Sequence, residues 1–171
     1  MRHPAIVLSL LALWPFCAAA QTKNPVTAAA RAALERQSRN LTEAAEEMPA
    51  DKYGYKPTPQ QMSFGELMAH IARTNEVLCS KLAGRAMSAP PAGDNKKEAI
   101  VASVRASFSA CSKDLGTLED AALGQSVLLF GNREGTKAEA LLALTADWAN
   151  HYGAAAIYLR LNGLLPPTAK K

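Results

Sequence analysis

Residues 136–163 read TKAEALLALTADWANHYGAAAIYLRLNG and carry the start, the body and the end of one long helix. Thr136 and Glu139 have the spacing of a capping box, in which each side chain bonds the backbone of the other residue. Gly163 is the residue type that ends helices in the left-handed conformation, and two prolines follow shortly after it. Apolar residues recur every three or four positions between these ends, which predicts one buried face. That face is formed by Leu141, Leu144, Trp148, Ala155 and Leu159.

Three further segments show helical periodicity, and they span residues 25–48, 63–82 and 95–118. Pro25 suits a first helical turn, and Ser63 and Glu66 repeat the capping-box spacing. Outside the helical segments, strand-like alternation occurs only at residues 126–130, which are short and isolated. Four amphipathic helices of this length bury their apolar faces against one another, so we predict an all-α four-helix bundle.

Residues 1–20 have the pattern of a secretory signal peptide. A short cationic start precedes an apolar run at residues 5–16, and alanines occupy positions 18–20, where a signal peptidase requires small residues. The alternative is a retained N-terminal anchor, but the run is shorter than the about 20 residues that a membrane span needs. We therefore expect cleavage after Ala20, a single mature domain at residues 21–171, and export to a periplasmic or extracellular location.

The charge of the chain excludes one class of partner. Nineteen Lys and Arg residues against 15 Asp and Glu residues give a formal net charge of +4. These basic residues form no stripe interleaved with aromatic residues, so nucleic-acid binding has no support. No second stretch is long and apolar enough to cross a membrane, so we predict no span in the mature chain. The expected partner is a small molecule of unknown identity, and pairing as a homodimer remains open.

Histidine is scarce, which directs attention to three residues. Beyond residue 20 the chain has only His70 and His151. His151 lies four positions after Asp147, so the two side chains share one face of their helix. His70 lies at the edge of the apolar stripe of the second helical segment. We refer to His70, Asp147 and His151 as the His–Asp–His triad.

The triad has two interpretations. Two imidazoles and one carboxylate form a three-ligand metal site that leaves positions open for water or substrate. Alternatively, Asp147 and His151 form an ordinary surface ion pair, and His70 is a hydrogen-bonded residue at the edge of the core. Trp148 and Tyr158 lie near the same face as a possible ligand pocket, although packing in the core is the expected role of both.

Two separated motifs resemble the DinB-like (DNA-damage-inducible) family. The first is YKPTP at residues 55–59 followed by FGELMAHIA at residues 64–72, which contains His70. The second is HYG at residues 151–153 followed by YLRLNGLLPP at residues 158–167. The motifs have the order and spacing of that family, and the resemblance extends over residues 23–168.

The resemblance implies a fold and a ligand set. The family fold is a four-helix bundle in up-down-down-up order, with a metal ion held by one residue of the second helix and two of the fourth. In this chain those positions are His70, Asp147 and His151. Asp147 departs from the histidine that many relatives carry, so zinc, nickel, iron and manganese all remain candidate cofactors. Ala154 departs from the Gln or Asn that often follows the glycine, which removes a potential contact to the ligands or to substrate.

The same topology makes a prediction about Cys79 and Cys111. If helices two and three run parallel, as up-down-down-up order requires, both cysteines lie 16 residues from a helix start and are level with each other. Antiparallel helices would separate them by about 20 Å at a rise of 1.5 Å per residue, beyond the reach of a bridge. We expect a disulfide in an oxidising compartment, with two buried free thiols as the alternative.

Two functional hypotheses follow. One is a metal-dependent enzyme, either a hydrolase or a transferase that uses low-molecular-weight thiols. The resemblance suggests the transferase, because characterised members of that family include such enzymes. The other is a bundle without catalytic activity that binds a metal ion or a small ligand. Stoichiometric bound metal would favour the enzyme, although metal alone does not demonstrate turnover.

Overall fold

The computed structural model of the protein describes residues 23–88 and 96–170, and four long helices account for most of them. They are α1 (Pro25–Glu47), α2 (Phe64–Ala83), α3 (Lys97–Gly116) and α4 (Lys137–Leu161). Short 3₁₀ turns occupy Ala50–Lys52, Asp120–Ala122, Phe130–Asn132 and Pro167–Ala169. The predicted all-α class is confirmed. The expected signal peptide and the predicted start of the third helix, residue 95, lie outside the described residues.

The capping signals act where the sequence places them. Ser63 Oγ accepts the Glu66 N–H at 3.2 Å, and Glu66 Oε2 accepts the Ser63 N–H at 2.6 Å. Thr136 and Glu139 form the same reciprocal pair at the start of α4. Gly163 has a φ of 75°, a left-handed conformation that glycine adopts without steric cost. Local side chains therefore define both ends of α4.

The helices form a bundle in which each helix packs against two others, α1 and α2 each lying between α3 and α4. Contacts at the start, middle and end of two helices pair Gly65 with Ile100, Asn75 with Ser107, and Arg85 with Asp114. These three contacts follow the same order along α2 and α3, so the two helices run parallel.

The remaining pairs give the rest of the topology. Tyr158, near the end of α4, donates to the carbonyl oxygen of Met62 just before α2, so these helices are antiparallel. Arg31, in the first turns of α1, donates to the carbonyl of Leu115 at the end of α3, which makes that pair antiparallel as well. The order is therefore up-down-down-up, as the resemblance implied.

The parallel arrangement brings Cys79 of α2 and Cys111 of α3 together. Their Cα atoms are 5.3 Å apart, both side chains are fully buried, and the structure joins them in a disulfide. The core around them contains large side chains from all four helices, and the largest fully buried ones are Trp148, Phe64, Leu41, Met48, Met68 and Ile71. No helix in the described part of the chain is both long and apolar enough to cross a membrane.

A small hairpin precedes α4 and was not foreseen in full. Strand β1 (Ser126–Leu128) pairs antiparallel with β2 (Glu134–Thr136), with Val127 opposite Gly135. The sequence pattern indicated only the first strand, as an isolated stretch. Each strand has three residues, which is too few for alternation to be distinctive. The hairpin leads the chain directly into the Thr136 cap of α4.

Candidate metal centre

The antiparallel packing of α2 and α4 brings the His–Asp–His triad together near the middle of the bundle. His70 comes from the second turn of α2, while Asp147 and His151 come from successive turns of α4. One ligand atom from each side chain can be chosen so that all three lie within 4.8 Å of one another. All three residues are partly buried. Residues separated by more than 70 positions in sequence thus converge on one point.

Asp147 and His151 are in direct contact. The Nε2 atom of His151 lies 3.1 Å from Oδ1 of Asp147, and their side chains are 15% and 21% exposed. The rings of His70 and His151 meet edge to face, with centroids 4.9 Å apart and planes at 86°. The two imidazoles, one from α2 and one from α4, therefore both lie close to the Asp147 carboxylate, and both are partly exposed to solvent.

The surroundings of His70 disfavour its protonated form. Burial lowers the pKa of His70 below its ordinary value of 6.5, and the adjoining His151 lowers it as well. Asp147 acts in the opposite direction, and the positive charge of Arg73 lowers the pKa further. A neutral imidazole has the free lone pair that a metal ligand needs.

The donor set fits a divalent transition ion. Ligand atoms bound at about 2.1 Å and arranged tetrahedrally lie about 3.4 Å apart, so three atoms within 4.8 Å of one another would have to close by about 1.4 Å at most. The second carboxylate oxygen of Asp147 is buried and has no hydrogen-bond partner within the described residues. Buried carboxylate oxygens without partners are costly, and coordination or a proton-bearing ligand would satisfy this one.

Trp148 and Tyr158, the two predicted pocket residues, use their polar atoms elsewhere. The Tyr158 hydroxyl donates to the Met62 carbonyl at 2.7 Å, and burial raises the pKa of this phenol. The Trp148 Nε1–H donates to Asn75 Oδ1 at 2.6 Å. Both side chains are buried. Their contacts correspond to the packing role that the sequence left open for them.

Asn75 is a residue that sequence reasoning passed over. It is completely buried at a position where the apolar stripe of α2 would place a large aliphatic residue. The available signal was a polar residue four positions after Ile71, inside that stripe.

Two recesses of about 460 and 540 Å³ also occur in the structure, but neither is lined by a triad residue.

Comparisons with known proteins agree on the fold. A DinB-like protein from Bacillus subtilis is 19% identical with a TM-score of 0.64, covering 79% of this chain and 92% of that chain. A DinB-like protein from Bacillus cereus is 16% identical with a TM-score of 0.67, covering 81% and 93%. A conserved protein from Enterococcus faecalis is 18% identical with a TM-score of 0.66, covering 80% and 96%.

Curated proteins give no match to the chain. The model of the DinB superfamily, however, matches residues 33–155, a range that includes the whole triad. That range is more than half of the chain, and the solved structures share its four-helix architecture. This protein therefore belongs to the DinB superfamily.

Proposed function

We propose that this chain is an exported protein that binds one divalent transition-metal ion through the His–Asp–His triad and acts as a hydrolase or a transferase. The observation that carries the proposal is the convergence of three ligand atoms within 4.8 Å from two helices. The unpartnered carboxylate oxygen of Asp147 supports it, because a buried polar atom is rarely left without a partner.

The triad residues have distinct roles in this proposal. A divalent ion in such a set supplies Lewis-acid chemistry toward water, a thiol or a carbonyl group. His70 and His151 offer nitrogen donors, and Asp147 offsets one positive charge of the ion. Three protein donors leave coordination positions open for substrate. Their partial exposure leaves the triad accessible from the solvent side of α2 and α4.

Export favours hydrolysis over thiol transfer. Reduced low-molecular-weight thiols are chiefly cytosolic, whereas exported proteins meet an oxidising environment. The pairing of Cys79 with Cys111 in the structure accords with that environment. A hydrolase needs only water as the second substrate, so it functions in either compartment.

A bundle without catalytic activity is the second candidate. Its support is the 3.1 Å contact between His151 and Asp147. Through this contact each of the two groups already has a polar partner without a metal ion. Ala154 adds to this view because it brings no polar side chain next to the triad. Elemental analysis of protein purified from its native compartment tests for the metal, and about one equivalent is expected for the proposed enzyme. Turnover of a hydrolysable substrate by that protein then separates the enzyme from a bundle that binds metal without activity.

Cobalt titration of metal-stripped protein tests the proposed site directly. Trp148 is the only tryptophan beyond residue 20 and adjoins Asp147, so bound Co²⁺ should quench its fluorescence at about one equivalent. We expect His151→Ala and Asp147→Asn to weaken binding by about 10-fold or more, since ligands matter at least as much as the groups that orient them. Asp147→His should keep cobalt affinity near that of the wild type, because histidine supplies an equivalent donor.

Asn150→Ala is the matched control for these variants. Asn150 is exposed on α4 beside His151, so its removal should leave cobalt affinity unchanged. Equal cobalt affinity of wild type and His70→Ala, or no binding by either, would remove the main support for a metal-dependent enzyme.

A further inference from the structure

Asn75 connects three helices from a completely buried position. Its side-chain oxygen accepts the Trp148 Nε1–H of α4 at 2.6 Å. Its side-chain nitrogen donates to Ser107 Oγ of α3 at 3.0 Å, and Ser107 donates onward to the Val104 carbonyl at 2.8 Å. Both Asn75 and Trp148 are 0% exposed. Both ends of one amide are therefore engaged, each with a different neighbouring helix.

These bonds impose directions that apolar packing does not. Hydrophobic contact is roughly proportional to buried area and has no preferred direction, so apolar side chains permit small slides and rotations between helices. A buried amide whose partner moves away keeps the full cost of its lost hydration, because no water replaces the partner. Asn75 thus favours the one placement of α4 that keeps the indole N–H in line with its oxygen.

That placement matters to the triad because of where Trp148 lies. Trp148 follows Asp147 directly and precedes His151 by three positions, while Asn75 lies five positions after His70. A shift of α4 by one residue would move its side chains by about 1.5 Å along the axis and 100° around it. Such a shift would turn both α4 ligands away from His70.

We propose that Asn75 is a positioning residue of the metal centre, which fixes the height and rotation of α4 through Trp148 so that Asp147 and His151 face His70. The inference rests on the proposed function, since it concerns the same site. Asn75 touches none of the triad side chains through a hydrogen bond, and it acts through the indole alone.

Three variants separate positioning from general stability. Asn75→Ala removes both bonds, Trp148→Phe removes the indole donor while keeping an aromatic ring, and Ser107→Ala removes only the bond toward α3. Each is studied below its unfolding temperature, with Co²⁺ as the probe and the visible absorption of bound cobalt as the readout. Cobalt absorption reports the geometry of the ligands, which a purely structural defect in a folded protein would not alter.

We expect Asn75→Ala and Trp148→Phe to weaken cobalt binding by about 10-fold, the effect typical of residues that orient ligands, and to change the absorption spectrum. Ser107→Ala should bind cobalt within about two-fold of wild type, although it loses the bond from Asn75. If Asn75→Ala fails to fold, Trp148→Phe decides the question, because its altered contact is the one that the inference requires.

A second measurement does not depend on metal. The imidazole proton resonances of His70 and His151 in metal-free protein should shift in Asn75→Ala and Trp148→Phe but stay unchanged in Ser107→Ala. Unchanged resonances together with wild-type cobalt affinity would overturn the positioning role, whatever the loss in melting temperature. Wild type that binds no cobalt would instead overturn the proposed function, and shifted resonances would then still support the role of Asn75 in placing α4.

Discussion

Arg85 lies just beyond the end of α2 and holds two carboxylates at once. Its guanidinium bonds Glu76 of α2 at 2.8 Å and Asp114 of α3 at 2.8 Å. Glu76 also accepts the backbone N–H of Ser88. The hydrogen bond from Arg85 is the main cause that lowers the pKa of Glu76 below its ordinary value of 4.5. These contacts connect Arg85 and Ser88, which follow α2, to α2 itself and to α3.

The lowered pKa of Glu76 predicts a loss of stability in acid. Because the folded pKa lies below the unfolded value near 4.5, the contribution is complete above that pH and is lost as pH falls through the folded pKa. Glu76→Gln should reduce the free energy of unfolding by about 1 kcal/mol at pH 7, since the pair is partly exposed, and by less at pH 3. Urea unfolding at both pH values measures the difference.

Glu35→Gln serves as the comparison for this variant, since Glu35 is exposed on α1. It should change the unfolding free energy little at either pH. An equal loss for Glu76→Gln at pH 7 and pH 3 would show that the Arg85 pair does not generate the acid sensitivity.

Helices α2 and α3 are parallel neighbours, and this arrangement depends on a long connection. A chain that leaves α2 at Ala83 must return along the whole helix before α3 begins at Lys97. The 13 residues between these two helices can span more than the length of α2 when extended, at about 3.3 Å per residue. The disulfide between Cys79 and Cys111 joins the two helices near their C-terminal ends.

Reduction of this disulfide should lower stability. The bridge closes a loop with a sequence separation of 32 residues, which in the chain-entropy model contributes roughly 3 to 4 kcal/mol. Urea unfolding with and without a dithiol reductant measures the change, and Cys79→Ser with Cys111→Ser should match the reduced protein. Exported protein kept oxidised and labelled in denaturant should show no free thiol; two labelled cysteines would reject the bridge.

At the scale of the whole molecule, the described bundle and the N-terminal segment have different compositions. The described residues carry charged side chains on their outer surfaces and one continuous apolar core. Residues 5–16, in contrast, include no charged side chain. The bundle begins with Pro25 in the first turn of α1, several residues beyond the expected cleavage position.

Cleavage after Ala20 predicts a mature chain that begins at Gln21. Intact-mass analysis of protein recovered from the exported fraction should give the mass of residues 21–171, with or without loss of ammonia from a cyclised glutamine. A mass that retains residues 1–20 would contradict both the signal peptide and the export that we propose. Protein made without residues 1–20 should fold to the same helical content by circular dichroism.

Much of the fold was predictable because its signals are local. The capping boxes at Ser63 and Thr136 involve residues three positions apart, and apolar periodicity reports one helix at a time. The resemblance of two motifs to the DinB-like family then supplied the helix order and the assignment of the triad as a metal-ligand set. Asp147 and His151 could be associated from their spacing alone, since residues four apart share a helix face.

Tertiary structure decided what local spacing does not contain. Sequence patterns predicted four helices, the capped starts of α2 and α4 and a His–Asp pair on α4, all of which depend on neighbours within one or two turns. Only the packing of α2 against α4 placed His70 beside that pair, paired β1 with β2, and gave Asn75 its partners on α3 and α4. These contacts join residues that are distant along the chain, and their geometry depends on the relative height and rotation of whole helices, which periodicity leaves free.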